Sequence, residues 1–181
     1  MNSMNFLVNT LFDLYIMIIL LRVWLQVARA DFYNPFSQFV IKATQPIVAP
    51  LRKMIPAIGG WDTATILFAF VVACLKVVSL MLMAGASIDP VVMLISGLFI
   101  IITEVFKLLF WVLIIRAILS WISKGHNPIE AVMIQLTEPL LTPVRRFMPN
   151  LGGLDLSMLV VLFGLQFLEV LVNDLLAKLF L

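Results

Sequence analysis

The sequence predicts an all-α integral membrane protein, in which four transmembrane helices form two tandem repeats that run in the same direction. Composition is the first reason, because 63% of the 181 residues are hydrophobic, only 12% are charged, and the mean hydropathy is +1.13. The second reason is that four apolar runs are long enough for a hydrocarbon core, which takes about 20 helical residues. The third is a motif of prolines and glycines that occurs twice, 93 residues apart.

The repeated motif lies between two apolar runs in each half of the chain. Its first copy consists of Asn34, Pro35, Thr44, Pro46, Pro50, Arg52, Pro56, Gly59, Gly60 and Asp62. Its second copy consists of Asn127, Pro128, Thr137, Pro139, Pro143, Arg145, Pro149, Gly152, Gly153 and Asp155. Because proline and glycine control backbone geometry, their shared spacing predicts a repeated backbone shape.

Each repeat is predicted to consist of a span, a surface segment and a second span. Repeat 1 covers residues 1–88, with spans at about 5–28 and 61–84 and surface helices at about 35–56. Repeat 2 covers residues 89–181, with spans at about 99–122 and 155–180 and surface helices at about 128–149. The apolar run 91–122 exceeds one perpendicular span, so residues 91–97 are expected to form a separate tilted or interfacial piece.

The surface segment of each repeat is predicted to be a short amphipathic helical hairpin that proline interrupts. Asn34 should cap its first helix, with Pro35 in the first turn, and Pro46 should end that helix and start another. Asp62 and Asp155 should cap the spans that follow, after the glycine pairs.

The second helix of each hairpin carries an apolar face with basic residues beside it. The apolar residues are Ile47, Val48, Leu51, Met54 and Ile55 in repeat 1, and Leu140, Leu141, Val144, Phe147 and Met148 in repeat 2. The basic residues are Arg52, Lys53, Arg145 and Arg146, which are predicted to contact anionic lipid headgroups or a protein partner. The alternative is a helix that packs on the end of the bundle, with its basic side chains in solvent.

The basic residues predict the orientation. The predicted surface segments and their flanks hold Arg29, Lys42, Arg52, Lys53, Lys124, Arg145 and Arg146, whereas the opposite side holds Lys178. The positive-inside rule therefore predicts cytoplasmic hairpins and periplasmic termini. Arg22, Trp24 and Arg29 are expected to form an interfacial belt with a snorkelling cation.

Ionisable residues inside the predicted spans follow the repeat. Asp13 corresponds to Lys107 and Lys76 corresponds to Glu169, with the sign of the charge exchanged in each case. Because a lone charge in a span is costly, we expect Asp13 to pair with Lys76 and Lys107 with Glu169. These pairs are interpreted as fixing helix register or, alternatively, as a polar path for ions. Glu104 has no counterpart and is either an additional acid or a residue at the outer interface.

The sequence contains none of the motifs that carry the common enzymatic chemistries. It lacks a phosphate-binding loop, a nucleophile elbow, a dinucleotide fingerprint and a His/Cys metal spacing, so no enzyme, cofactor or metal is predicted. The net charge of +2 predicts no nucleic-acid partner, and Cys74 is interpreted as a small buried hydrophobe.

The doubled motif resembles the YggT family of bacterial membrane proteins over nearly the whole chain. The stretch 31–39, with Thr44, Gln45 and Pro46, is similar to the two-repeat members. Ser120 and Trp121, a pair frequent in the family, occur in repeat 2, whereas repeat 1 has Val27 and Ala28.

The resemblance implies a multi-pass protein of the bacterial inner membrane without enzymatic activity. It implies a link to hyperosmotic tolerance and potassium homeostasis, through ion passage or through assistance to a transporter. Single-repeat relatives imply the alternative, a membrane-organising or scaffold role in cell division or envelope assembly. The expected partners are the lipid bilayer and its anionic headgroups, with a homo-oligomer and a cytoplasmic or membrane protein left open.

Overall fold

The computed structural model describes residues 3–122, 127–147 and 156–180, and these residues form six α-helices. The helices are α1 Ser3–Val27, α2 Pro35–Met54, α3 Thr63–Met83, α4 Pro90–Ile122, α5 Pro128–Arg145 and α6 Leu156–Phe180. Four of them, α1, α3, α4 and α6, are long and apolar enough to cross a membrane. The predicted all-helical chain with four membrane-spanning candidates is therefore confirmed at this level.

The turn before α3 depends on two glycines with left-handed backbones. Gly59 and Gly60 have φ of +62° and +83°, values that side-chain-bearing residues rarely adopt, and they close a tight turn between Ile58 and Trp61. Asp62 follows as the N-cap of α3, and its carboxylate accepts a hydrogen bond from the backbone N–H of Thr65 at 3.3 Å. The chain is thereby turned from α2 directly into the next apolar helix.

The prediction of two short helices in each surface segment is wrong. α2 runs through Pro46 and Pro50, and α5 runs through Pro139 and Pro143. An interior proline loses one backbone hydrogen bond and costs about 3 kcal/mol, so other interactions must hold these helices together. Prolines four residues apart also lie on one side of a helix, which leaves the other side free to pack.

The predicted division of the third apolar run is also wrong. α4 is one helix of 33 residues, because the stretch 91–97 contains no proline to interrupt it. At 1.5 Å per residue it is about 50 Å long, more than a hydrocarbon core of about 30 Å, so it must tilt or extend beyond the core. Gly97 within it is packed so closely that an added Cβ would lie 2.8 Å from Cys74 Sγ.

The chain divides into two compact units, each with its own buried core. Unit 1 consists of Met1–Val23 and Val40–Val105, and its buried residues include Ile16, Ile19 and Ala73. Unit 2 consists of Trp24–Phe39 and Phe106–Leu181, and its buried residues include Leu113, Leu136 and Leu141. The repeat boundary at residue 88 comes from the sequence and stays a prediction.

Candidate functional site

A buried arginine connects α1 to α2 within unit 1. Arg22 is only 4% exposed, although it lies in an apolar helix. It donates hydrogen bonds of 2.7 Å to the Thr44 hydroxyl and of 2.7 Å to Gln45 Oε1. Thr44 Oγ1 in turn donates to the carbonyl of Val40 at 2.9 Å, so the hydroxyl both accepts and donates. Arg22 is therefore an internal link, and its side chain does not extend into solvent as a snorkelling cation would. Its position at the membrane interface stays a prediction.

The same link occurs in unit 2 at the equivalent residues of repeat 2. Arg116 of α4 donates a hydrogen bond to the Thr137 hydroxyl, which donates to the carbonyl of Met133 at 2.7 Å. Glu138 takes the place of Gln45, and its carboxylate lies 3.7 Å from Arg116. We call each arginine–threonine link an arginine anchor. Each anchor joins a helix able to span a membrane to the surface helix that follows it.

Glu138 makes the second anchor a small charge network. Its carboxylate lies 3.3 Å from Arg145, and the Thr142 hydroxyl donates to it at 3.0 Å. Gln45 is uncharged, so it cannot form an ion pair with the arginine of its own helix as Glu138 does. In repeat 1, Arg52, the counterpart of Arg145, pairs with Asp62.

The ion pair between Arg52 and Asp62 closes the first surface segment against the start of α3. The Asp62 side chain is 5% exposed and also accepts a hydrogen bond from the Thr65 hydroxyl. Burial acts to raise the pKa of the Asp62 carboxyl, but the hydrogen bonds from Arg52 and Thr65 and the charge of Arg52 hold that pKa below its ordinary value. Asp62 is therefore a charged cap at neutral pH. Its counterpart Asp155, like Met148, Pro149, Gly152 and Gly153, lies outside the described residues.

A stripe of fully buried residues on each surface helix explains why proline does not break it. In α2 the stripe is Val40, Thr44 and Val48, and in α5 it is Met133, Thr137 and Leu141. These residues are spaced by four and therefore lie on one face. Packing of that face together with the arginine anchor outweighs the lost backbone hydrogen bonds.

The apolar face predicted for the second half of each surface helix is divided in the structure. Val48 and Leu141 are buried in the protein, whereas Ile47 is 42% exposed, Met54 81% and Phe147 87%. Lys53 and Arg146, at equivalent positions of the repeats, are exposed beside Met54 and Phe147. Each surface helix thus packs on the protein with one face and presents a cation next to a large apolar residue at its end.

A groove runs along α5 in unit 2. It has a volume of about 580 Å³, and its walls include Pro139, Pro143, Glu138 and Arg146, with Ala28 contributing from the end of α1. Its lining combines the apolar rings of Pro139 and Pro143 with the charged side chains of Glu138 and Arg146. A groove of this size and chemistry is large enough for a small amphipathic ligand.

The N-terminal ends of the two surface helices meet in unit 2. Asn127 caps α5 by accepting from Ile129 N–H at 2.9 Å, and Asn34 accepts from Phe36 N–H at 3.0 Å. Asn34 also donates its amide to the carbonyl of Pro128 at 2.6 Å. Trp24 donates to the carbonyl of Leu136 at 2.9 Å. Residues of repeat 1 are therefore built into the support of the surface helix of repeat 2.

The ionisable residues within the apolar helices differ from one another in burial and in the partners that the structure shows. Lys76 and Asp13 form a salt bridge in unit 1, with side chains 10% and 28% exposed. Glu104 is 2% exposed, which contradicts its placement at the outer interface. Lys107 and Glu169 are half-buried, and the pair between them stays a prediction. Among the described residues, no cluster of three His, Cys, Asp or Glu side chains has the arrangement of a metal site.

Comparison with known proteins identifies the family. The model of the CCB3/YggT family matches residues 1–83 and 95–176. The chain belongs to this family. A protein of Vibrio alginolyticus encoded in the proC 3′ region is 58% identical over 96% of this chain and 95% of its own length. YggT of Escherichia coli K12 is 47% identical over 89% and 84%, and a protein of Pseudomonas aeruginosa is 41% identical over 95% and 89%. All three carry the description uncharacterized, and no solved structure matches the chain.

Sequence reasoning on this member of the YggT family missed the arginine anchors. Arg22 and Thr44 are far apart in the chain, and an arginine near the end of an apolar run is typical of a membrane interface. The repeat nevertheless held the relevant pattern, because Arg116 precedes Thr137 by almost the same interval. A polar residue that recurs at the end of a span in both repeats indicates a structural partner.

Proposed function

We propose that this member of the YggT family is a non-enzymatic membrane-organising protein. In this proposal two anchored surface helices lie on the cytoplasmic side of the bacterial inner membrane and bind anionic lipid headgroups. The observation that carries the proposal is the arginine anchor, which occurs once per repeat between an arginine of an apolar helix and a buried threonine of the surface helix. Cell division or envelope assembly is the setting that the family resemblance supplies.

The anchors support lipid binding because they fix the direction in which each surface helix faces. With the inner face held by Thr44 or Thr137, the outer end presents Lys53 with Met54, or Arg146 with Phe147. A cation beside an exposed apolar side chain suits a headgroup region, where the charge meets phosphate and the apolar group enters the acyl boundary. A pre-oriented helix loses little conformational freedom on binding, which favours affinity.

The same proposal includes the topology. Seven basic residues on the side of the surface segments against Lys178 on the other side favour cytoplasmic surface helices and periplasmic termini. Both repeats then run in the same direction across the membrane.

Lipid retention by variants of the exposed cations tests the lipid contact. Lys53→Gln and Arg146→Gln leave the ion pairs of Arg52 and Arg145 intact, so each should weaken lipid binding at its own surface helix without loosening that helix. Native mass spectrometry of the purified protein in equal phosphatidylglycerol and phosphatidylethanolamine should show that the wild type retains more phosphatidylglycerol. Each single variant should lose part of this excess, and the double variant should lose most of it. Lys178→Gln is the matched control on the other side. An unchanged phosphatidylglycerol excess in both variants would contradict the proposal.

Cation passage is a second candidate, and the Lys76–Asp13 pair favours it. Charged groups within a span are typical of ion pathways as well as of structural pairs, and the resemblance links the family to potassium homeostasis. A pathway makes Lys76 necessary for flux, whereas a structural pair makes it necessary for stability alone. Potassium flux into vesicles that hold the wild type, compared with flux into protein-free vesicles, tests direct passage. Equal rates would exclude it.

A further inference from the structure

The groove along α5 is lined by a stretch of helix in which proline has removed backbone donors. Pro139 has no N–H to give to the carbonyl of Gln135, and Pro143 has none to give to the carbonyl of Pro139. A proline ring also crowds the carbonyl four residues before it, which turns that carbonyl away from the helix axis. Gln135, Pro139 and Pro143 all line the groove. Two residues of the lining therefore have carbonyls that lack their intrahelical donors.

Side chains add a further acceptor and a surplus of positive charge. The Thr142 hydroxyl donates to Glu138 at 3.0 Å, and a hydroxyl that donates can still accept through its lone pairs. The Glu138 carboxylate lies 3.3 Å from Arg145 and 3.7 Å from Arg116, so its charge is already matched. Arg146 adds another cation, which is exposed in the lining. The groove therefore combines neutral acceptors with three arginines to one carboxylate.

The groove lies where a helix able to span a membrane ends. α1 ends at Val27, and the next residue, Ala28, contributes to the wall of the groove. In the topology proposed above, the end of α1 is at the level of the lipid phosphates on the cytoplasmic side. Ile134, which is exposed, adds apolar surface to the lining beside the proline rings. This position favours a lipid headgroup over a ligand from solution.

We propose that the α5 groove binds a lipid headgroup that joins a phosphodiester to a polyol, as in phosphatidylglycerol. This inference rests on the lipid contact proposed above and adds the feature that selects the lipid. Arg146 binds the phosphate, while the headgroup hydroxyls donate to the Thr142 hydroxyl and to the carbonyls of Gln135 and Pro139. The ammonium of phosphatidylethanolamine would find the same acceptors, but the surplus of arginine charge would repel it. A hydroxyl meets these acceptors without repulsion.

Repeat 1 provides an internal comparison, because it keeps the cation and lacks the other side chains. Ala49 stands at the position equivalent to Thr142, and Gln45 at the position equivalent to Glu138. Lys53 takes the place of the exposed arginine. Selection of headgroup hydroxyls should therefore depend on α5, whereas both surface helices attract negative charge.

Phosphatidylmethanol tests the inference, because it carries the charge of phosphatidylglycerol without the hydroxyls of its headgroup. Native mass spectrometry of the full-length protein in equal amounts of the two lipids should show about fivefold more retained phosphatidylglycerol, the effect of one neutral hydrogen bond. Thr142→Val keeps the shape of the side chain and should remove most of this preference. Thr142→Ser, which retains the hydroxyl, should keep it.

Thr10→Val is the matched control, because it removes a hydroxyl that bonds to the carbonyl of Phe6 in α1, outside the groove. It should leave the preference unchanged, and circular dichroism of each variant checks that the helices remain. Glycerophosphoglycerol, the same headgroup without acyl chains, should not displace the lipid at equal concentration.

The outcomes separate this inference from the proposed function. Equal retention of phosphatidylglycerol and phosphatidylmethanol, both above phosphatidylethanolamine, would overturn the inference and leave the lipid contact in place. A preference that Thr142→Val and Thr10→Val lower equally would overturn it too, as would displacement by an equal concentration of glycerophosphoglycerol. Retention of neither anionic lipid above phosphatidylethanolamine would contradict both proposals.

Discussion

Lys76→Met is expected to lower the free energy of unfolding by about 3 kcal/mol, among the largest effects of any single substitution in this chain. The substitution removes the ammonium that pairs with Asp13, and the carboxylate then stays within an apolar helix without its partner. Asp13→Asn should lower the free energy of unfolding by a similar amount, because it leaves the Lys76 ammonium without its partner.

Reversible unfolding in micelles of increasing dodecyl sulfate content, followed by helical circular dichroism, measures this loss. The exchanged pair Asp13→Lys with Lys76→Asp should recover most of the stability that either single substitution loses, because attraction is restored with the ends reversed. Lys178→Met is the matched control at an exposed site and should leave stability unchanged. An exchanged pair as unstable as the single variants would show that Asp13 and Lys76 do not stabilise each other.

Arg22→Met is expected to release α2 from its support and to cost about 2 kcal/mol. It deletes the hydrogen bonds to Thr44 and Gln45, and bonds from a charged donor contribute roughly 1.5–3 kcal/mol each. The removal of a buried charge offsets part of that loss, because burial of a guanidinium is itself costly. The effect should be local, so amide hydrogen exchange should accelerate along α2 while α3 stays protected.

A double-mutant cycle isolates the anchor from other effects of the substitution. Thr44→Val keeps the shape of the side chain and removes the hydroxyl, so it should cost about 1–3 kcal/mol alone and little when Arg22 is already methionine. The cycle of Arg116→Met with Thr137→Val should give a similar coupling in repeat 2. Arg29→Met is the control for an exposed arginine. Additive effects in both cycles would contradict the anchors.

The helices and their starts could be predicted from the sequence because local chemistry determines them. Apolar length predicts α1, α3 and α6, and the Asn127 and Asp62 side chains cap helices in the way that short polar residues do. The repeat added information that no single helix holds. The positions of Asp13 and Lys76 in the repeat predict similar depths in the membrane and therefore a pair, and the structure shows a salt bridge between these two side chains.

What could not be predicted depends on contacts between distant parts of the chain. Pro46 favours the end of a helix locally, but Val40, Thr44 and Val48 are buried on one face and keep α2 continuous. In the sequence, Arg22 is typical of a cation at a membrane interface, and only the structure shows that it binds Thr44 and Gln45. The link from Asn34 to Pro128 joins the two repeats, and nothing in either residue indicates it.

The central claim is that both anchored surface helices lie on one side of the membrane, and site-directed labelling tests it directly. Lys53→Cys and Arg146→Cys occupy equivalent exposed positions of the two repeats, whereas Cys74 is buried. A membrane-impermeant maleimide should leave both positions unlabelled in intact cells and label both after the inner membrane is opened. Labelling of one position in intact cells and of the other only after opening would place the repeats in opposite directions and contradict the account.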